Sequence, residues 1–345
     1  MRAVTIREYG GIEQLRYEEL PEPEPGPGEV LVRLRAAALN HLDIWVREGL
    51  RPRPLEGPHV LGSDGAGVIE ELGPGVEGLA QGEAVLINPA LSCGHCPWCE
   101  AGEDSLCERF DILGLGRPGT FAEFVAVPAA NVAPIPGGLS FVEAAATPLV
   151  GLTAWRMMIT KARPLPGETV LVLGVGGGVS GVCVQLAALC GARTIASSRS
   201  EAKLERARGL GAQEAILYRD NDQLVRQVRE LTGGRGADIV VDNIGAATWL
   251  GSLAAVARGG RIITNGCTTG CDPRTDLRAI YWKQLSILGS TMGSRSEFRQ
   301  LLEAVGQGRL RPTLDSTFPL QEAAKAQARM EAGEQFGKIV LTIPE

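Results

Sequence analysis

Histidine is scarce in this 345-residue chain: His41, His59 and His95 are the only three, all lie in the first third, and no pair has the spacing of a metal site or catalytic triad. No block of Lys and Arg is present and the net charge is −6, so nothing offers the positive footprint that neutralises nucleic-acid phosphates. No apolar run approaches the ~18 residues that span a bilayer. Residues Met1-Arg2-Ala3-Val4-Thr5-Ile6 alternate like a strand and lack the apolar core of a signal peptide, so a cytoplasmic protein is expected. Aromatics are only 5% of the chain, yet 44% of it is hydrophobic, which is ordinary globular composition at a length suited to two domains.

Glycine and proline are plentiful, and they punctuate the chain. Met1 to Val127 reads as short strands, among them Ala3–Ile6 and Val30–Ala37, separated by a proline-rich surface connection over Pro21–Gly28. Six glycines between Asp64 and Val85 suggest tight turns in a barrel-like sheet. Ser140 and Glu143 have capping-box spacing ahead of a helical stretch that reaches Lys161. Beyond Pro166-Gly167 the rhythm becomes strand–helix–strand, with Ile239–Asp242 and Gly260–Asn265 as further strands. Helices are expected at Arg295–Gly306 and Gln321–Ala332, then a strand at Lys338–Ile343. Local pattern leaves two destinations open for this tail, the α/β sheet or the first domain.

The segment Val170–Gly181, Val-Leu-Val-Leu-Gly-Val-Gly-Gly-Gly-Val-Ser-Gly, runs an apolar strand into a glycine-rich turn and then an apolar helix that stops at Gly191. Gly176, Gly178 and Gly181 fit G-x-G-x-x-G, and a second strand at Arg193–Ser197 completes a βαβ unit. In that context the glycines let backbone N–H groups approach a pyrophosphate at a helix N-terminus, which predicts a dinucleotide site.

Cys93, Cys96, Cys99 and Cys107 form C-x2-C-x2-C-x7-C. Four thiolates in one loop can enclose a tetrahedral Zn2+ and leave no position for substrate, so a structural zinc is expected. An iron–sulfur cluster fits the last spacing less well, and disulfides are not expected in a reducing compartment. Cys183 and Cys190 read as helix fillers, and Cys267 and Cys271 as a loop pair that is not a metal site.

With these motifs in place the chain resembles the zinc-containing medium-chain dehydrogenases/reductases almost end to end. Gly62-Ser63-Asp64-Gly65-Ala66-Gly67-Val68 is similar to that family's G-H-E-x-x-G-x-V, the cysteine loop to its structural zinc lobe, and Thr153-Ala154-Trp155 to the segment ahead of its coenzyme domain. The resemblance implies an α/β protein: a GroES-like β-barrel catalytic domain at residues 1–150, a Rossmann doubly wound parallel sheet at 151–289, and a return to the catalytic domain at 290–345. It also implies a small-molecule substrate and a homodimer or homotetramer.

The departures from the family pattern concern its catalytic zinc. Asn40, Ser63 and Leu149 stand where Cys, His and a second Cys are expected, and Leu42 replaces the proton-relaying hydroxyl residue. An amide, a hydroxyl and an isobutyl group are poor zinc ligands, so only the structural zinc is expected. The quinone oxidoreductase and enoyl reductase branch shows the same replacements. In it, hydride reaches the β-carbon of a conjugated carbonyl while hydrogen bonds hold the enolate. Asn40 and the nicotinamide ribose hydroxyl are the candidate donors, with Ser63 beside Asn40; the alternative for Asn40 is a turn residue bonding its own backbone. Arg51 stands where that branch often has Tyr, which leaves the proton donor open.

Coenzyme contacts follow from the same resemblance. His41 matches the pyrophosphate-contacting position, Gly176, Gly177, Gly178 and Val179 the phosphate loop, and Thr153, Asn243, Asn265, Gly266, Cys267, Gly289, Ser290, Thr291, Met292 and Lys338 the rest of the cleft. Ser198, Arg199 and Lys203 stand where NAD-specific relatives carry an acid, so they favour the 2′-phosphate of NADPH over NADH. Trp45, Trp155 and Tyr281 are candidates for an apolar substrate pocket. The leading expectation is an NADPH-dependent reductase of activated C=C bonds or quinones. The alternatives are a zinc-independent carbonyl reductase or alcohol dehydrogenase, and a crystallin-like protein that binds NADPH without turnover.

Overall fold

The computed structural model describes residues 1–50 and 54–344, which divide into two compact units, Met1–Leu149 with Ser294–Glu345, and Val150–Gly293. The tail therefore returns to the first unit. Among the described residues no helix is long and apolar enough to cross a membrane.

The first unit is built on a mixed seven-stranded sheet. Its centre is the strand Glu29–Ala38, whose alternate apolar residues Val30, Val32 and Leu34 are buried in one core cluster with Leu61, Ile69, Phe121, Ile339 and Leu341. Three strands pair with it, all antiparallel: Phe124–Pro128 along its first half, and two that reach its end. Asp64–Leu72 pairs Asp64 with Ala38, and Lys338–Thr342 pairs Val340 with Ala38. Continuing that register two residues beyond Ala38 sets Lys338 level with Asn40, although 298 positions separate them. Gly62, with φ of +95°, makes the turn into the Asp64 strand; a Cβ there would lie 2.3 Å from Phe121 Cδ1, so the turn admits only glycine.

The second unit carries a six-stranded, wholly parallel sheet. Across it the strands run Glu214–Leu217, Arg193–Ser198, Thr169–Val172, Ala237–Val241, Val256–Thr264 and Ser286–Gly289. That order reverses at Thr169–Val172, and such switch points are where doubly wound sheets bind ligands, outside the carboxyl ends of the strands. Leu171, Ile195, Ile216, Val240 and Ile262 are fully buried, as expected of strands covered on both faces.

Candidate functional site

At the switch point the strand Thr169–Val172 passes through Leu173 into a turn at Gly174 (φ +60°), and Gly177 N donates to Gly174 O at 3.0 Å. The helix Gly178–Leu189 follows, with Gly177 at its N-cap and no side-chain cap. Its first-turn N–H groups therefore face outward at the positive end of the helix dipole. Ser180 Oγ donates to Leu173 O at 3.0 Å and ties this turn to the strand end. The glycine turn thus begins at Gly174, two residues ahead of the G-x-G-x-x-G match. Gly174 escaped that match because the apolar strand reads straight through it. Gly181 lies inside the helix, where a Cβ would approach Leu210 Cδ1 to 3.4 Å.

Polar atoms collect along the same edge. Asn243, Asn265 and Ser290 follow three adjacent strands, and both amide atoms of Asn243, Asn265 Oδ1 and Ser290 Oγ are buried without a hydrogen-bond partner among the described residues. Buried polar atoms left unpaired cost about 1–3 kcal/mol each, so their clustering fits a polar ligand such as a nicotinamide coenzyme. Buried Asp242 shapes the turn, accepting from Ile244 N, Gly245 N, Thr248 Oγ1 and Ser252 Oγ. Met292 adopts a left-handed backbone (φ +46°), and Thr153 Oγ1 lies 3.5 Å from its sulfur. Ser198 ends its strand, its Oγ accepting from Ser200 N, and Arg199 is exposed beside it. Gly289 closes the last strand, with Thr291 two residues on. Cys267, read as a coenzyme-lining residue, has its sulfur in a disulfide with Cys271. Tyr281 is 63% exposed on a short helix, which does not suit the pocket-lining role read for it.

The first unit gathers a second polar cluster where its central strand ends. Lys338 Nζ donates to Leu39 O (2.6 Å), Asn40 Oδ1 (2.6 Å) and Asp64 Oδ2 (2.9 Å). Asn40 Nδ2 donates to Asp64 Oδ2 (3.0 Å) and Ala38 O (3.3 Å), and Leu149 N donates to Asp64 Oδ1 (2.8 Å). All three side chains are buried, Asp64 completely. The ammonium has used its three donors and the amide its two. That corrects two readings: Lys338 has no N–H left for a phosphate, and Asn40 has none left for an enolate. Asn40 instead positions its neighbours, its own backbone N–H held by Asp43 Oδ2 at 2.7 Å at the start of the helix His41–Arg47. Ser63 is the exception here. Its hydroxyl is fully buried and has no hydrogen-bond partner among the described residues.

Burial pushes the Asp43 carboxyl up to about 7, against the pull of the Asn40 N–H and the Lys338 charge. His41 lies below the ordinary histidine range because it is buried and because Lys338 is cationic. The folded chain holds the Asp43 proton up to about pH 7, whereas an unfolded aspartate releases it near pH 4. Folding therefore takes up a proton in that window, so this residue's contribution to stability falls as pH rises from about 4 to 7 and is level above. Urea titrations from pH 5 to pH 8 should show that fall in the wild type and a flatter profile in Asp43→Asn; identical profiles would remove the assignment.

His59 and His95 are structural. His59 Nε2 lies 2.8 Å from Gly114 O in a buried setting, and His95 Nδ1 lies 2.8 Å from Cys93 O while its other nitrogen meets Arg109. The sulfurs of Cys93, Cys96, Cys99 and Cys107 all lie within 4.8 Å of one another, with Cys93–Cys99 at 3.9 Å and Cys96–Cys99 at 3.6 Å. A tetrahedron with zinc–sulfur bonds of ~2.3 Å has sulfur–sulfur edges of about 3.8 Å, so the lobe fits zinc. Among the described residues this is the one group of three or more His, Cys, Asp or Glu side chains so gathered.

Residues 26–137 match the alcohol dehydrogenase GroES-like domain and residues 178–307 the zinc-binding dehydrogenase domain. A zinc-type alcohol dehydrogenase-like protein of Schizosaccharomyces pombe is 34% identical over 99% of both chains. The chain belongs to the zinc-type medium-chain dehydrogenase/reductase family. A solved NAD-dependent alcohol dehydrogenase is 51% identical over the full length of both chains, with a TM-score of 0.95. A crotonyl-CoA carboxylase/reductase, AntE, solved with NADP, is 27% identical at a TM-score of 0.92, covering 99% of this chain and 94% of that one.

Membership makes the chain a medium-chain oxidoreductase and gives the polar cluster its meaning. Asn40, Ser63 and Leu149 occupy the positions at which the resemblance puts catalytic zinc ligands, and all three border Asp64 in space or in sequence. Leu149 brings only a backbone N–H, and the Lys338 ammonium already holds Asn40 Oδ1 and Asp64 Oδ2. A divalent cation there would have to compete with this fixed positive charge for the Asp64 carboxylate and the Asn40 amide oxygen, with only the Ser63 hydroxyl besides. The donor set does not fit a catalytic zinc. Leu42 packs its side chain against the core, and Arg51 lies outside the described residues.

Proposed function

We propose that this medium-chain dehydrogenase/reductase is an NADPH-dependent reductase of activated C=C bonds, in enones or enoyl substrates, or of quinones. It would hold one structural zinc and no catalytic one. The observation that carries this reading is the Lys338–Asp64–Asn40 cluster, which puts an internal ammonium among the residues that take the zinc-ligand positions. Alcohol oxidation of the zinc type relies on Lewis-acid polarisation of the oxygen, whereas hydride addition to a conjugated carbonyl asks only for hydrogen bonds to the enolate. Ser63 Oγ, buried and unpartnered, is the protein donor suited to that oxygen. The NADP-bound reductase relative supports the same chemistry. Carbonyl reduction without catalytic zinc is the second reading, favoured by the 51% identity to an alcohol dehydrogenase. NADPH oxidation against enones, quinones and aldehydes, with a chelator present, separates these readings. Turnover of aldehydes alone would favour the second, and coenzyme binding with no turnover would leave the crystallin-like role.

The preference for NADPH rests on the end of the strand Arg193–Ser198, where Ser198-Arg199-Ser200 carries a cation and no carboxylate, and Lys203 follows in the next helix. Arg199→Ala is expected to weaken NADPH binding by roughly 1.5–3 kcal/mol, the worth of a hydrogen bond to a charged group, and to leave NADH unchanged. Equal losses for the two coenzymes in fluorescence titrations would count against the assignment. His41, Thr153, Gly176, Gly177, Gly178, Val179, Gly266, Gly289, Thr291 and Met292 remain in this proposal as coenzyme-facing positions.

A further inference from the structure

We propose that Cys267 and Cys271 form a reversible dithiol/disulfide site that sets coenzyme affinity, tight when bridged and weaker when reduced. The bridge spans four positions with a Cα–Cα distance of 5.1 Å. It closes a small loop just beyond the strand Val256–Thr264, and Gly270 N donates to Cys267 O inside it at 3.0 Å. Cys271 is exposed, and exposed disulfides are the ones that solution thiols can exchange with.

The loop is fastened to the neighbouring turn, which follows the strand Ala237–Val241. Thr269 N and Oγ1 both donate to Ile244 O, at 2.9 and 2.7 Å. Ala246 N donates to Gly270 O and Ala247 N to Thr269 Oγ1, each at 3.0 Å. The contact is backbone on backbone: a Cβ on Gly245 would lie 2.6 Å from Gly270 O and 2.9 Å from Cys267 Cα. Asn243 sits on that turn and Asn265 at the root of the loop, and both carry buried side-chain atoms without partners. The bridge thus pins two segments that hold unpartnered polar groups at one sheet edge. Without it the loop regains conformations that ligand binding must remove, and affinity falls by that entropy.

The chemistry balances as thiol–disulfide exchange with a dithiol. Its thiolate attacks the exposed Cys271 sulfur, the Cys267 thiolate leaves and takes a proton, and the second thiol displaces Cys271 as the reductant closes into its own disulfide. Two electrons pass to the protein, and an oxidised dithiol reverses the step.

The coupling rests on the coenzyme reading of this edge, while the bridge is tested apart from it. Full-length, zinc-loaded protein is treated with oxidised or reduced dithiothreitol, alkylated and peptide-mapped, and the NADPH and NADH dissociation constants are measured in both states. Alkylation of Cys267 and Cys271 is expected only after reduction, together with about 3–10-fold weaker binding. Cys271→Ser is expected to show the weaker constant in both conditions, which separates the effect from any action of dithiothreitol on the zinc lobe. Full alkylation of the pair after oxidised treatment overturns the bridge. Equal constants in the two states overturn the coupling. Protein that binds neither coenzyme in either state sinks the coenzyme reading and the coupling together, and the alkylation pattern still reports the bridge.

Discussion

Replacing Lys338 with methionine is expected to destabilise the first unit by about 3–5 kcal/mol, the cost of removing one partner from a buried ion pair. Asp64 would be left at zero solvent exposure with only Asn40 Nδ2 and Leu149 N as donors among the described residues, while Asn40 Oδ1 and Leu39 O would each lose a hydrogen bond. The side chains are similar in length, so the loss would be electrostatic rather than steric. The double variant Lys338→Met with Asp64→Leu should lose less than the single one, because neutralising both partners removes the stranded charge and well-packed apolar pairs replace such bridges at little cost. Urea unfolding followed by tryptophan fluorescence measures both. A single-variant loss under about 1 kcal/mol, the range of an exposed pair, would show that water reaches Asp64.

Elemental analysis is expected to give one zinc per chain, and Cys99→Ala should release it. Structural zinc sites of this kind are worth roughly 10–16 kcal/mol, so one thiolate of four accounts for about 3 kcal/mol and its loss for about a hundredfold in affinity. The loop between Cys93 and Cys107 holds little regular structure beyond the short helix Pro97–Glu100 and one turn of 3-10 helix, so the metal is its principal tie. Loss of zinc should therefore appear first as protease sensitivity in this loop and only later as lost turnover. Two zincs per chain would overturn the account of the Asn40–Asp64–Lys338 cluster. A competition titration with a chromogenic chelator measures the affinity.

What could be read in advance follows the range of the interactions. The capping box at Ser140 and Glu143, the helix Arg295–Gly306 and the parallel strands announce themselves through neighbours a few residues apart, and the structure has them within a few residues of expectation. The four cysteines are legible for the same reason, since the whole donor set falls within a sequence separation of 14. The ammonium at Asn40 was not legible. It arrives from 298 positions away through the antiparallel pairing of the last strand, and nothing local to Gly337-Lys338 distinguishes a buried ion-pair partner from a phosphate ligand. The saturation of the Asn40 amide was hidden likewise, because two of its three partners, Asp64 and Lys338, are distant in sequence. Cys267 and Cys271 could be read as a loop pair, but not as bonded to each other, since spacing alone does not say which way two sulfurs point.

The placement of Lys338–Thr342 between Glu29–Ala38 and Leu314–Pro319 sets an order of assembly. Residues 150–293 are contiguous and hold their own sheet, so this unit can close while the ribosome is still adding the tail. The first unit has no such freedom. Its earliest long strand waits for a neighbour made about 300 positions later, and contacts of that separation are the slowest to form. Until they form, the carboxylate at Asp64 has no counter-charge, and the nascent chain must keep it in water. Arrival of Lys338 is thus the event that lets Asp64 leave water, and a strand made 298 positions after Asn40 becomes the trigger for closing the sheet begun at Glu29.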